Sequence, residues 1–354
     1  MGLVNKIAKK RGKGKGIENA KIHSSPPMPR FGKSKSRFGQ IALPHMTEFC
    51  FIKTMKHMKV FVTGATGFVG SALVPELIQA GHKVTGLARS AAAAEKLKAA
   101  GAEVQRGDLE DLDSLRKGAE AADGVIHAGF IHDFSRFAEV CLIDKVAIET
   151  MGKTLAGSNR PFIVTSGTAL VNQGTLATEA MPSMHDVTKF PRVSETSLEA
   201  FTSQGVRTGI IRLSPSVHGD GDQHGFIPML VNIARQKGVV AYIGDGHNRW
   251  NAVHRLDAVR LYRLALEQGE AGMRYHAVGD EGITLKAICE VIGQHLNLPV
   301  VSISREEAPA HFGWFAMMAA LDCPASSALT QKRLDWKPVH ASLPEDLASG
   351  IYFK

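Results

Sequence analysis

Residues 59–70 read Lys-Val-Phe-Val-Thr-Gly-Ala-Thr-Gly-Phe-Val-Gly. The short apolar run Val60 to Val62 ends in Gly64, Gly67 and Gly70 at GxxGxxG spacing. Val69, Leu73 and Leu77 then recur four apart, on one helical face. The pattern is strand, tight turn, helix. Such a turn needs glycines because the backbone must reverse sharply, approach a pyrophosphate closely and seat a helix flat on a sheet. The N-terminus of the following helix offers free N–H groups and a partial positive charge to the phosphates. Gly64, Thr66, Gly67, Phe68, Val69 and Gly70 are therefore the expected phosphate-side contacts of a dinucleotide.

Downstream of the turn the sequence alternates. Strands are expected at 82–87, 103–106, 124–128, 161–165 and 206–213, with helices at 91–100 and about 136–155 between them. Strand–helix alternation with short joins means a parallel sheet covered on both faces, with right-handed crossovers. The fold class is α/β: a doubly wound Rossmann sheet, residues 58–213, followed by a smaller α/β part, residues 214–354, that is mainly substrate-binding. Ligands of such sheets lie at the carboxyl ends of the strands, so the residues just after each strand matter most.

The chain carries a net charge of +8, but residues 1–57 hold 13 Lys/Arg against 2 Asp/Glu, or +11. The other 297 residues therefore sit at −3. The globular part has no electrostatic reason to bind nucleic acid. The basic extension has too few apolar residues to offset its chain entropy and reads as disordered. A transit peptide, a basic tail and a translation start at Met58 or Met55 are the competing explanations, and the sequence favours the last. Cys50, Cys141, Cys289 and Cys323 are scattered, which fits free thiols in a reducing, cytoplasmic compartment. The 15 histidines form no metal motif, and no metal is expected. No apolar run is long enough to span a membrane.

Cofactor choice rests on the second strand. An NAD site usually has a carboxylate about 20 residues past the glycines. No Asp or Glu lies between Glu76 and Glu95, and the strand ends in Arg89-Ser90. A guanidinium suits a 2′-phosphate, with the hydroxyl as a further donor. NADP is expected, with NAD as the alternative. Asp108 and Leu109 follow the third strand, beside an adenine edge; Asp108 equally suits a helix cap.

Together these residues resemble the extended short-chain dehydrogenase/reductases, in the branch often labelled NAD-dependent epimerase/dehydratase. The resemblance covers about residues 58–354. It is carried by the glycine turn, Gly107-Asp108-Leu109, His127-Ala128-Gly129, Thr165-Ser166-Gly167, the segment Arg212 to Gly219 and the segment Val253 to Asp257. It implies a Rossmann domain with a small C-terminal substrate domain, and it places His127, Ala128 and Gly129 against the cofactor. It also implies a Ser followed by Tyr-x-x-x-Lys. The Lys holds the nicotinamide ribose and lowers the Tyr pKa, and the Tyr exchanges a proton with the substrate oxygen.

That pair is missing. The four tyrosines are Tyr242, Tyr262, Tyr275 and Tyr352, and none is followed by Lys four residues on. Counting back from Arg212 puts Pro191 in place of the Tyr and Glu195 in place of the Lys. A second register puts His185 and Lys189 there, but leaves too long a helix before the next strand. The first register is preferred.

Ser166 is the expected catalytic hydroxyl, with a turn-forming role as the alternative. His132 and Asp133, in the loop after the fourth strand, are a candidate oriented base, or a solvated loop. Arg192 at a helix start would bind an anionic substrate if it faces the cleft. His218, Trp250 and His254 fall in substrate-side loops, with core packing the alternative for Trp250. Asp257 is expected to cap the helix 258–266. Residues 309–321 read as a core helix, with a pocket lid or homodimer face as the alternative. The functional readings are an NADP-preferring oxidoreductase on a small carbonyl or alcohol, a non-catalytic NAD(P) sensor, and a sugar-nucleotide epimerase or dehydratase.

Overall fold

The structure, a computed structural model, describes residues 57–171, 173–184 and 191–354. The basic extension before His57 and the alternative register at 185–189 lie outside the described residues.

The first half runs β1 (Lys59–Thr63), α1 (Gly70–Gln79), β2 (Lys83–Ala88), α2 (Ala91–Ala99), β3 (Glu103–Arg106), α3 (Leu112–Glu120), β4 (Gly124–His127), α4 (Phe137–Leu155), β5 (Pro161–Gly167), α5 (Ser194–Glu199) and β6 (Arg207–Leu213). The second half runs β7 (Ser216–His218), α6 (Phe226–Lys237), β8 (Val240–Ile243), β9 (Arg249–His254), α7 (Arg255–Gln268), β10 (Met273–Ala277), β11 (Asp280–Thr284), α8 (Leu285–Leu296), β12 (Val300–Ile303), α9 (Ala308–Phe312), α10 (Ala316–Ala319), α11 (Ala328–Leu334) and α12 (Leu343–Ala348).

Seven strands form a parallel sheet in the order β3-β2-β1-β4-β5-β6-β10. The order reverses between β1 and β4, and ligands of such sheets bind outside the strand ends at that reversal. Strand alternation sorts the core. Val60 and Val62 of β1 bury on one side with Leu73 and Leu77 of α1 and Val259 and Leu266 of α7. Phe61 points to the other side, among Leu115 of α3, Ile148 and Met151 of α4 and Leu198 of α5. Boundaries expected from the sequence for residues 59–213 fall within about two residues of these elements, and α7 begins three residues before the expected 258.

The sequence division at residue 214 does not separate the layers. The chain returns after β9: α7 packs on α1, and β10 adds a seventh strand beside β6. The remainder of the second half forms a three-stranded sheet, β11-β9-β7, and a pair, β12-β8, around an apolar core. Residues 309–321 are not one helix. Gly313, at φ +58°, breaks them into α9, a 3-10 turn over Gly313–Phe315, and α10. Phe312 and Phe315 are buried while Trp314 and Met317 are exposed. No helix among the described residues is long and apolar enough to cross a membrane.

Candidate active site

The glycine turn and the end of β4 meet backbone to backbone. Gly64 sits at φ +67°, and a Cβ there would lie 2.6 Å from Gly129 Cα and 2.7 Å from the Ala128 carbonyl carbon. A Cβ on Gly70 would strike the Gly64 carbonyl oxygen at 2.0 Å. Both glycines are needed by the fold itself. Gly67 is different. It is exposed, and a Cβ there would meet only the Gly64 oxygen, at 3.3 Å. Helix α1 begins without a side-chain cap or an acidic residue in its first turn. The protein leaves open the place where a pyrophosphate would approach, so the residues fit a dinucleotide.

Arg89 and Ser90 follow β2 as expected, and both are exposed. Arg89 makes no ion pair among the described residues. The Ser90 hydroxyl accepts the Ala93 N–H as the cap of α2 and keeps its own proton for another partner. The Asp108 carboxylate accepts the N–H groups of Glu110 and Asp111, closing the turn after β3, while Asp111 caps α3. Leu109 lies beside Gly129.

His127 does not face this groove. Its ring is buried between Thr63 and Asp144. One tautomer satisfies every group. The Gly129 N–H donates to Thr63 Oγ1, and the Thr63 hydroxyl donates to His127 Nδ1 at 2.7 Å. His127 Nε2–H then donates to Asp144 at 3.1 Å, and the Ser194 hydroxyl donates to the other Asp144 oxygen at 2.5 Å. Burial pushes the Asp144 pKa up, but the His127 hydrogen bond and the Arg192 charge outweigh it and hold the carboxyl below its ordinary value.

This chain surfaces at Arg192. Its Nε donates to Ser194 Oγ at 3.0 Å and its Nη2 to the Thr165 carbonyl at 3.1 Å. Its guanidinium lies 4.3 Å from the centre of the Phe130 ring. Thr165 is near the end of β5 and Phe130 follows β4, so a fixed cation stands at the carboxyl ends of the two strands. His132 sits in the same loop with its ring edge-on to Phe130. Partial desolvation and the Arg192 charge lower the His132 pKa, so its imidazole is neutral at pH 7. The pairing of His132 with Asp133 needs correction. The Asp133 carboxylate is engaged by the Ser135 N–H and hydroxyl and by Arg136.

Ser166 is also placed otherwise than expected. It is buried, and its hydroxyl donates to Glu195 at 2.7 Å. Glu195 in turn takes a bidentate pair from fully buried Arg212, at 2.8 and 2.7 Å. Burial raises the Glu195 pKa, but Arg212 and Ser166 together bring it below normal, so the carboxylate is ionised. The single proton of Ser166 is thus committed to an internal anion. Replacing Glu195 with alanine is expected to cost about 3–5 kcal/mol of stability, because it strands a buried guanidinium. Urea unfolding measures this, and a loss under about 1 kcal/mol would contradict the reading.

Three substrate-side expectations also change. Trp250 is fully buried against Phe226 and Phe315, with Nε1–H donating to the Met318 carbonyl; it is core. His218 is buried, with Nδ1 2.6 Å from Asp346 of α12. His254 is half-buried and caps α7 by accepting the Leu256 N–H. Asp257 therefore lies inside that helix, where its carboxylate accepts the N–H groups of Val339 and His340.

A family model described as NAD dependent epimerase/dehydratase matches residues 60–278. An uncharacterized protein of Schizosaccharomyces pombe is 51% identical over 300 residues, covering 84% of this chain and all of that one. A 4-hydroxy-2-methyl-3-oxo-4-farnesyl-3,4-dihydroquinoline-1-oxide ketoreductase of Stigmatella aurantiaca is 24% identical over 76% of this chain and 84% of its own. Among solved structures, a dTDP-glucose 4,6-dehydratase of Streptomyces venezuelae, with NAD bound, superposes with a TM-score of 0.66. It is 20% identical and covers 83% of this chain and 96% of its own. The ketoreductase is similar in sequence, and the dehydratase structure shows that the fold is shared.

Proposed function

From the chain's membership of the NAD-dependent epimerase/dehydratase family, we propose that it is an NADP-preferring oxidoreductase of a small carbonyl or alcohol substrate. The reading is carried by Arg192, whose guanidinium is held by Thr165 and Phe130 at the ends of β5 and β4. The nicotinamide, when bound, supplies or accepts a hydride. As a carbonyl is reduced, negative charge develops on its oxygen. The Arg192 guanidinium stabilises that oxygen with its positive charge and its N–H donors, without transferring a proton. Neutral His132, beside it, accepts a proton from the alcohol in the oxidative direction, or relays one from water in the reductive direction. The Thr63–His127–Asp144–Ser194 chain holds Arg192 from beneath.

Arg89 supports the cofactor preference. It is exposed at the end of β2, where a 2′-phosphate has room to approach. Arg89→Ala is expected to weaken NADPH by roughly 10- to 100-fold, the worth of a charge-assisted hydrogen bond, and to leave NADH nearly unchanged. Nicotinamide fluorescence titration reads both affinities, and an equal loss would remove Arg89 from the cofactor site.

One observation favours a non-catalytic NAD(P) sensor as the second reading: no tyrosine stands at the strand ends. The Tyr262 hydroxyl reaches Thr165 Oγ1 of β5 at 2.7 Å, but Tyr262 is fully buried. Tyr275 lies in the core, Tyr352 bonds Gly219 and Asp222, and Tyr242 is in β8. Purified protein given NADPH and a panel of aldehydes and ketones separates the readings: oxidation of NADPH supports the enzyme, and binding without oxidation supports the sensor.

A further inference from the structure

Arg255, the first residue of α7, stands across the glycine turn. Its guanidinium carbon is 4.7 Å from the centre of the Phe68 ring, one residue past Gly67. On another side it borders the Gly219–Asp222 turn, where a Cβ on Gly221 would lie 3.8 Å from Nη1. Arg255 makes no ion pair among the described residues. Its Nε is buried and has no hydrogen-bond partner. A buried donor without a partner is uncommon and costs about 1–3 kcal/mol. Arg260 and Arg274 also have a buried Nε without a hydrogen-bond partner, but each has a carboxylate within ion-pair distance, Asp257 and Glu199 respectively, and Arg255 has none among the described residues. An aromatic ring fixes the plane of the Arg255 guanidinium, which orients its fork for an oxyanion.

We propose that Arg255 binds the pyrophosphate of the dinucleotide, closing over the glycine turn from the second half of the chain. The proposal rests on the cofactor reading above and adds to it a second, side-chain donor facing the phosphates opposite Gly67. Arg255 then couples cofactor binding to the position of α7, whose other residues pack on α1.

The test is titration of the full chain with NADPH and with NADH, for the wild type, Arg255→Gln and Arg255→Lys. A pyrophosphate contact predicts that Arg255→Gln weakens both dinucleotides by the same factor, roughly 10- to 100-fold, with a flatter dependence on salt. Arg255→Lys, which keeps the charge but not the planar fork, should fall between. Loss confined to NADPH would move the residue to the 2′-phosphate and overturn the proposal. So would unchanged cofactor affinity with a raised KM, which would place the anion on the substrate. A wild type that binds neither dinucleotide would overturn the cofactor reading itself. Melting temperatures of both variants close to the wild type show that the fold has survived.

Discussion

Gly67→Val is expected to abolish dinucleotide binding, weakening NADPH by at least about 100-fold, while the protein folds and melts nearly as before. The expectation follows from the difference between Gly67 and its neighbours. Gly64 and Gly70 are packed against backbone at distances that no Cβ tolerates, so substitution there damages the fold and says little about binding. At Gly67 the only close protein atom is the Gly64 oxygen, at 3.3 Å. The position is exposed and its φ is not in the left-handed region. The valine branches therefore project into the volume a pyrophosphate needs and displace little of the protein. Circular dichroism melting and fluorescence titration, run together, check both halves. Retained affinity in a well-folded variant would remove the turn from the binding site.

Arg192→Met is expected to lower turnover by roughly 10²- to 10³-fold, as for a lost oxyanion donor, with cofactor affinity changed far less. Methionine keeps much of the apolar contact with Phe130, so the loss reads the charge. Some destabilisation accompanies it, since Ser194 and the Thr165 carbonyl each lose a donor. Single-turnover oxidation of NADPH separates the two effects. Unchanged turnover would make Arg192 a strut between β5 and the loop after β4.

The sheet was legible because its signals are local. The apolar run before Gly64 and the alternation of strands and helices need no knowledge of distant residues. The seventh strand was not legible at that level, because β10 is assigned to the sheet only by its pairing with β6 across residues 214–272. The cofactor turn was readable for the same reason as the sheet, its glycine spacing being contiguous. The reacting end was less so. Ser166 carries the right residue type at a strand end, but its direction is decided by Glu195 and Arg212, 29 and 46 positions away. Trp250 reads as a ligand-facing aromatic until Phe226 and Phe315 close around it. Arg192 could be named but not oriented, since its supports come from three separate segments. Arg255 had one faint signal, a lone cation between an apolar strand and its helix.

The most direct measurement is titration of the full protein with NADPH and NADH, followed by addition of a carbonyl panel. NADPH is expected to bind tightly and NADH more weakly, and at least one compound is expected to oxidise NADPH. Absence of binding to either nucleotide would contradict the cofactor reading at the glycine turn.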